Sequence, residues 1–297
     1  MRTGVVLGGG GPVGIAWEIG VLAGLADAGV VLDPERVVGT SAGSVVGAHL
    51  AAGTPLDELV AEQTVGHELP GAEDTPPDDS GTAGDSRRPS GPAPGAMERV
   101  IEIFSIIGDG REMTTEKAAT IGGLALDATT IPEDRWIASF DRLLGDLDWP
   151  ETDLWVTAVD CLTGERRSWR RADGVPLATA VASSCAVPGM FPPVSIDGRR
   201  YTDGGVWSPS NLDLLIGSDL DRTVFVGPIS SEGDLGSPAL ARERDLLAAD
   251  DITVELIAPG PAFAERIGVN LMDPSLRGVA CEIGLDDGRA AADRLGV

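Results

Sequence analysis

The sequence predicts a three-layer α/β/α fold with a mainly parallel central sheet. Two short apolar runs, Val5-Val6-Leu7 and Val37-Val38, each lead through a glycine-rich turn into a helical pattern. Strands this short and wholly apolar suit a sheet buried on both faces. A strand–helix–strand–helix order joins neighbouring parallel strands by crossovers of fixed hand. With 297 residues, 42% of them hydrophobic, the chain can support one such unit, read here as a single domain over 1–297.

After the first strand, Ile15, Ile19, Leu22, Leu25 and Ala26 recur at helical spacing, predicting a helix over 15–28 closed by Gly29. Residues 44–52 are small and apolar, as in a helix packed beneath a tight turn. Gly53 ends that helix, and Pro55 opens another that runs to 64. Residues 66–95 are dominated by Pro, Gly, Asp, Ser and Glu with almost no aliphatic content, which predicts a disordered insertion. Helices follow over 97–107, 115–126 and 131–144. The alternation of Leu154, Val156 and Ala158 marks a strand over 153–160, which Gly164 turns into a second strand, 166–170. A helix of small residues covers 176–184. Strands at 194–196 and 200–201 bracket the turn Asp197-Gly198. Late strands at 223–226 and 253–257 flank a helix over 239–249, and a final amphipathic helix spans 276–295.

The formal net charge is −25, from 22 basic and 47 acidic residues. That balance excludes nucleic acid as a partner, which demands clustered Lys and Arg, and opposes electrostatic docking on an anionic membrane. The three cysteines, Cys161, Cys185 and Cys281, have neither disulfide nor zinc spacing. Reduced thiols, no signal-peptide pattern and no apolar stretch of about 18 residues predict a cytoplasmic protein.

The second turn, Gly39-Thr40-Ser41-Ala42-Gly43, reads G-x-S-x-G, the sequence of a nucleophile elbow. Small residues must flank the serine, because the corner leaves no room for a bulky neighbour. The first turn offers a run of backbone N–H groups at a helix start, where an oxyanion can be held. A nucleophile beside such a cradle implies acyl transfer. The serine needs a base. His49 lies eight residues after Ser41, about two turns down the following helix, and faces away; His67 opens the disordered segment. A carboxylate must serve instead. The best candidate is Asp203 in Tyr201-Thr202-Asp203-Gly204-Gly205, where two glycines permit a tight backbone path; the motif alone reads more readily as an ordinary Asp-Gly-Gly turn, and its place beside the elbow reverses that.

Together these residues resemble the patatin-like phospholipase family in its bacterial form. The matching blocks are the loop Gly9-Gly10-Gly11-Pro12-Val13-Gly14, the elbow around Ser41, the small-residue stretch from Ala182 to Val194 with its proline loop, and Asp203-Gly204-Gly205. The resemblance implies a Ser-Asp dyad, with Ser41 as nucleophile and Asp203 as base. It implies an oxyanion hole from Gly9, Gly10 and Gly11, helped by Ala42, with Gly14, Gly39, Gly43, Gly204 and Gly205 as conformational support. It implies hydrolysis of lipid or other acyl esters, of phospholipase A or lysophospholipase type, with no cofactor or metal and with transient contact at a membrane or micelle surface. The family commonly carries Arg or Lys just before the last loop glycine, where this chain has Val13.

Other readings stay open at this stage. Gly9, Gly11 and Gly14 also spell the dinucleotide fingerprint G-x-G-x-x-G, with Asp33 near the position of a ribose-binding acid. The same dyad would serve a general carboxylesterase or thioesterase, and the fold could persist as a non-catalytic lipid-binding protein.

Overall fold

The computed structural model describes residues 1–64, 96–229 and 237–295. The expected insertion at 66–95, including His67, lies outside the described residues. The chain begins with β1 (Thr3–Leu7), α1 (Gly11–Asp27), β2 (Arg36–Gly39), α2 (Ala42–Ala52) and α3 (Leu56–Thr64). Three helices follow, α4 (Ala96–Ile107), α5 (Thr115–Leu126) and α6 (Glu133–Leu144). Next come β3 (Asp153–Asp160), β4 (Arg166–Trp169), α7 (Leu177–Ser184), β5 (Val194–Ile196) and β6 (Arg199–Asp203). The last third contributes β7 (Arg222–Val226), α8 (Pro238–Ala249), β8 (Thr253–Ile257), α9 (Pro261–Arg266) and α10 (Arg277–Leu295).

The eight strands form one sheet in the order β5-β6-β3-β2-β1-β7-β8, with β4 also paired to β3. The five strands from β3 to β8 along this order run parallel, and β4, β5 and β6 are antiparallel additions. Alternation along the strands loads both faces. Val5, Leu7, Val37, Val156 and Val224 join one core with α1, α2, α6, α7 and α10. Val6, Val38, Trp155 and Phe225 join a second core with Leu240 and Leu247 of α8. A third cluster, built on Ile103, Ile121 and Val159, packs α4 and α5 against β3. Helices therefore cover both faces of a mainly parallel sheet, as the apolar runs predicted.

The helix after the first turn begins four residues earlier than its apolar spacing suggested. Pro12 is tolerated in the first helical turn, where its missing N–H would have no partner. Gly11 enters the helix at φ +58°, a conformation that favours glycine. The turn itself is thus only Gly8–Gly10. The sequence reading also missed the short helix α9.

The final helix is less an amphipathic cover than a close backbone partner of α1. A Cβ on Gly20 would stand 2.3 Å from the Cys281 carbonyl oxygen, and one on Gly24 would stand 2.2 Å from that of Leu285. In return, a Cβ on Gly284 or Gly288 would stand 2.2 Å from the carbonyl oxygens of Trp17 or Val21. Backbone meets backbone here, so no side chain can yield. Gly284→Val is expected to lower unfolding free energy by about 3 kcal/mol or more. Gly123→Ala in α5, where a Cβ would meet nothing within 4 Å, should instead stabilise by about 0.5–1 kcal/mol. Urea unfolding of the two variants checks the contrast.

Candidate active site

Both glycine turns leave the sheet at the carboxyl ends of adjacent parallel strands, where open α/β sheets expose their loops. Their backbones are tied together. The Gly8 N–H donates to the Val226 carbonyl (2.9 Å), the Thr40 N–H to Leu7 (3.1 Å) and the Gly43 N–H to Gly8 (2.9 Å). A Cβ on Gly43 would lie 2.2 Å from the Leu7 carbonyl oxygen, so only glycine lets the start of α2 press against β1. Gly39 is held as closely: a Cβ there would lie 2.5 Å from the Gly43 carbonyl oxygen.

Between these glycines Ser41 is forced to φ 52°, ψ −118°. Such a conformation costs a non-glycine residue on the order of 1–3 kcal/mol. Serine at a helix N-cap usually turns its hydroxyl back to cap the helix. Ser41 makes no such cap, and its hydroxyl lies near enough to the Asp203 carboxylate to lower that group's pKa. The strained backbone is held from both sides: the Ser41 N–H donates to Ser184 Oγ (2.9 Å), and Ser44 Oγ donates to the Ser41 carbonyl (2.7 Å).

Asp203 reaches Ser41 from the other side of β3. It closes β6 opposite Ala158, two positions past Val156, the residue paired with Gly39. Its N–H donates to the Ala186 carbonyl (3.0 Å), and the Thr202 hydroxyl donates to the same oxygen (2.7 Å). Gly204 passes so close to Thr157 that a Cβ would stand 2.1 Å from the threonine hydroxyl. That close path lets the Gly205 N–H donate to Asp203 Oδ1 (2.7 Å). The carboxylate is almost entirely out of water. Burial pushes its pKa up to about 7, against the opposing pull of the Gly205 N–H and the Ser41 hydroxyl. Beneath the pair, the Thr157 hydroxyl donates to Thr40 Oγ1 (3.0 Å), as does the Asn211 amide (3.0 Å).

The glycine loop divides differently from the expectation. The Gly9 N–H, expected to face an oxyanion, donates to the Pro209 carbonyl (2.9 Å) and is spent. Gly9 lies beside the serine, where a Cβ would meet Ser41 Cβ at 3.7 Å. Among the described residues, no acceptor meets the N–H groups of Gly10, Gly11 and Ala42. Gly11, Ser41 and Ala42 all line one cavity of about 260 Å³, so two of those three donors open beside the serine. Gly14 packs at the same corner, 3.3 Å from Ala42 Cβ by the position its own Cβ would take. Val13, where the family commonly has a cation, is wholly buried in the core.

The cavity over Ser41 is walled by Ile15, Trp136, Phe140, Leu143, Phe191 and Met272, with no charged side chain. Trp136 is fixed: its indole N–H donates to the Ala182 carbonyl (3.0 Å), and its ring stacks on Phe191 at 4.0 Å. Cys185 also lines the cavity, but burial and the nearby Asp203 carboxylate push its thiol pKa above the range of a reactive thiolate.

His49 lies at the far end of α2, with Nδ1 3.2 Å from Thr54 Oγ1, and burial lowers its pKa. Asp33 precedes β2 and is exposed, so it lies at the opposite edge of the sheet from the glycine loop. That placement removes the dinucleotide reading. Among the described residues, no group of three or more His, Cys, Asp or Glu could hold a metal ion, and no helix is long and apolar enough to cross a membrane.

The family model of patatin-like phospholipases matches residues 5–216, from β1 past the Asp203 turn. Uncharacterized NTE family proteins of Mycobacterium tuberculosis (strain ATCC 25618 / H37Rv) and Mycobacterium bovis are each 27% identical over 253 residues. The aligned region is 83% of this chain and 54% of theirs, so the chain spans about half the length of the curated relatives it matches. VipD from Legionella pneumophila superposes over 99% of this chain and 67% of its own, with a TM-score of 0.45 and 14% identity. A match over most of the sequence, through both turns and the acidic loop, means that the chain belongs to the patatin-like phospholipase family.

Proposed function

We propose that this protein is a serine acyl hydrolase that cleaves carboxylic ester bonds of lipids, of the phospholipase A or lysophospholipase type, within a single catalytic unit. One observation carries the reading: Ser41, at the strained corner before α2, opens into an apolar cavity and has close by it a buried carboxylate whose pKa burial raises to about 7. A base whose pKa lies near working pH is both ionised and strong enough to take a proton.

In this mechanism the acyl chain lies in the cavity over Ser41. The Asp203 carboxylate accepts the hydroxyl proton as Ser41 Oγ attacks the ester carbonyl carbon. Negative charge builds on the former carbonyl oxygen, where the N–H groups of Gly10, Gly11 and Ala42 hold it. Collapse expels the alcohol, which takes its proton from Asp203, and leaves acyl-Ser41. Water then attacks the acyl-enzyme, giving its proton to Asp203, and the fatty acid leaves as Ser41 is restored. The proton balance closes within the dyad, and no step calls on a metal. The cavity walls select the acyl half of the ester, so they alone fit a general carboxylesterase or thioesterase equally well.

Ser41→Ala and Asp203→Asn are each expected to reduce kcat for a short-chain ester by about a thousandfold or more, with the double variant little worse. Independent losses that multiply would contradict a single catalytic unit. Wild-type kcat/KM should rise about tenfold per pH unit below pH 7 and level off above it, because the base acts only when ionised.

Stability should move the opposite way. The native pKa of Asp203 lies above the ordinary value of 3.8, so the folded state holds the proton more tightly than the unfolded chain. This contribution is complete below about pH 4 and is lost as pH rises through about 7. Asp203→Asn should therefore raise Tm relative to wild type more at pH 8 than at pH 5. An equal difference at both pH values would show that the carboxyl titrates normally.

A further inference from the structure

The cavity over Ser41 has two kinds of wall. Trp136, held by the Ala182 carbonyl and stacked on Phe191, is rigid. Met272 and Pro274 are brought in by the link between α9 and α10. That link lies beyond residue 216, so the blocks shared with the family do not dictate it.

The link is tied down at both ends. Ile267 anchors its start, buried and with its N–H on the Phe263 carbonyl (2.9 Å). Gly268 turns the chain at φ +62°, and the Asn270 amide donates back to the Ile267 carbonyl (3.1 Å). At the other end Asp273 Oδ1 accepts from the Ser275 N–H (3.0 Å) and hydroxyl (2.6 Å). Between these anchors the Leu271 carbonyl accepts the Val13 N–H (3.2 Å), one of the amides left without a helical partner at the start of α1. The link is thus fastened to the same helix start that presents Gly11 to the cavity.

This fastening sets Met272 at the reacting end of the cavity. A Cβ on Gly11 would stand 2.6 Å from Met272 Sδ and 2.8 Å from the Leu271 carbonyl oxygen. Gly11, Ser41 and Met272 line the same hollow. Met272 is 38% exposed and so stands at the mouth, whereas Val269, on the same link, is 72% exposed and does not line the cavity.

We infer that Met272 is a specificity-determining residue that admits straight-chain acyl groups and rejects those branched at the carbon next to the ester carbonyl. The assignment rests on the hydrolase reading above and adds the shape of the acyl group. With the carbonyl carbon at Ser41 Oγ and its oxygen at the Gly11 N–H, the next acyl carbon enters the cavity beside Met272. A straight chain brings only hydrogens to that point. A methyl branch there has to displace the thioether, and one added carbon in an apolar pocket changes kcat/KM by roughly 10–200-fold.

The test compares 4-nitrophenyl hexanoate with 4-nitrophenyl 2-methylhexanoate, which differ by that one branch. Met272→Ala is expected to raise the ratio of kcat/KM, branched over straight, by about tenfold or more. Met272→Leu, of similar volume, should keep the wild-type ratio, as should Val269→Ala. A second measurement needs no turnover: calorimetry of octan-2-one and 3-methyloctan-2-one, ketones with no bond to hydrolyse, on Ser41→Ala. Adding Met272→Ala should improve the relative affinity of the branched ketone by about tenfold. This arm judges the acyl-shape assignment even if Ser41→Ala proves as active as wild type and the hydrolase reading fails. An unchanged ester ratio or an unchanged ketone preference in Met272→Ala overturns the inference. So does an equal rise in Val269→Ala, which would assign the effect to loosening of the link rather than to the Met272 side chain.

Discussion

The contact between Gly43 and the Leu7 carbonyl governs the rest of this site. It draws the start of α2 against β1 so closely that the chain between them must turn through Ser41 at positive φ. A relaxed serine at that helix start would cap its own helix; here the hydroxyl is freed for another partner. The strain is borne by groups outside the turn. Ser184 on α7 accepts the Ser41 N–H, and Ser44 grips the Ser41 carbonyl. α1, whose first residues form the other half of the corner, is fixed in turn by its backbone contact with α10. The last helix of the chain thus steadies a loop formed by the first residues.

Electrostatics follow from the same geometry. Asp203 is carried in on an antiparallel strand and buried with one backbone N–H bonded to it and the Ser41 hydroxyl close by. A carboxylate given more hydrogen bonds would be a weak base, and one given none would stay protonated at neutral pH. Asp203 sits between these limits. In the proposed mechanism that balance supplies the base, since the one histidine among the described residues points elsewhere.

Much of this was legible in the sequence because the constraints are local. Apolar strands, glycines at corners and the order of the blocks gave the sheet, both turns and the strand over 153–160 at its observed bounds. Helix α1 started early because apolar spacing is blind to a glycine–proline entry. Gly9 was misread because its acceptor, Pro209, lies 200 residues away, and spacing cannot show which amide a distant carbonyl consumes. Ser184 and Asn211 were missed for the same reason. Each is unremarkable among its sequence neighbours and takes on a role only through packing across the sheet. The small-residue stretch that contains Ser184 was the one available signal.

The most direct test of the account is covalent labelling with a fluorophosphonate, with the adduct mapped by mass spectrometry and its rate followed against pH. A hydroxyl activated by a neighbouring carboxylate should label at Ser41, at a rate that climbs with a midpoint near pH 7, and Asp203→Asn should label far more slowly with that midpoint gone. Labelling at another residue, or an unchanged rate in Asp203→Asn, would show that Asp203 does not activate Ser41.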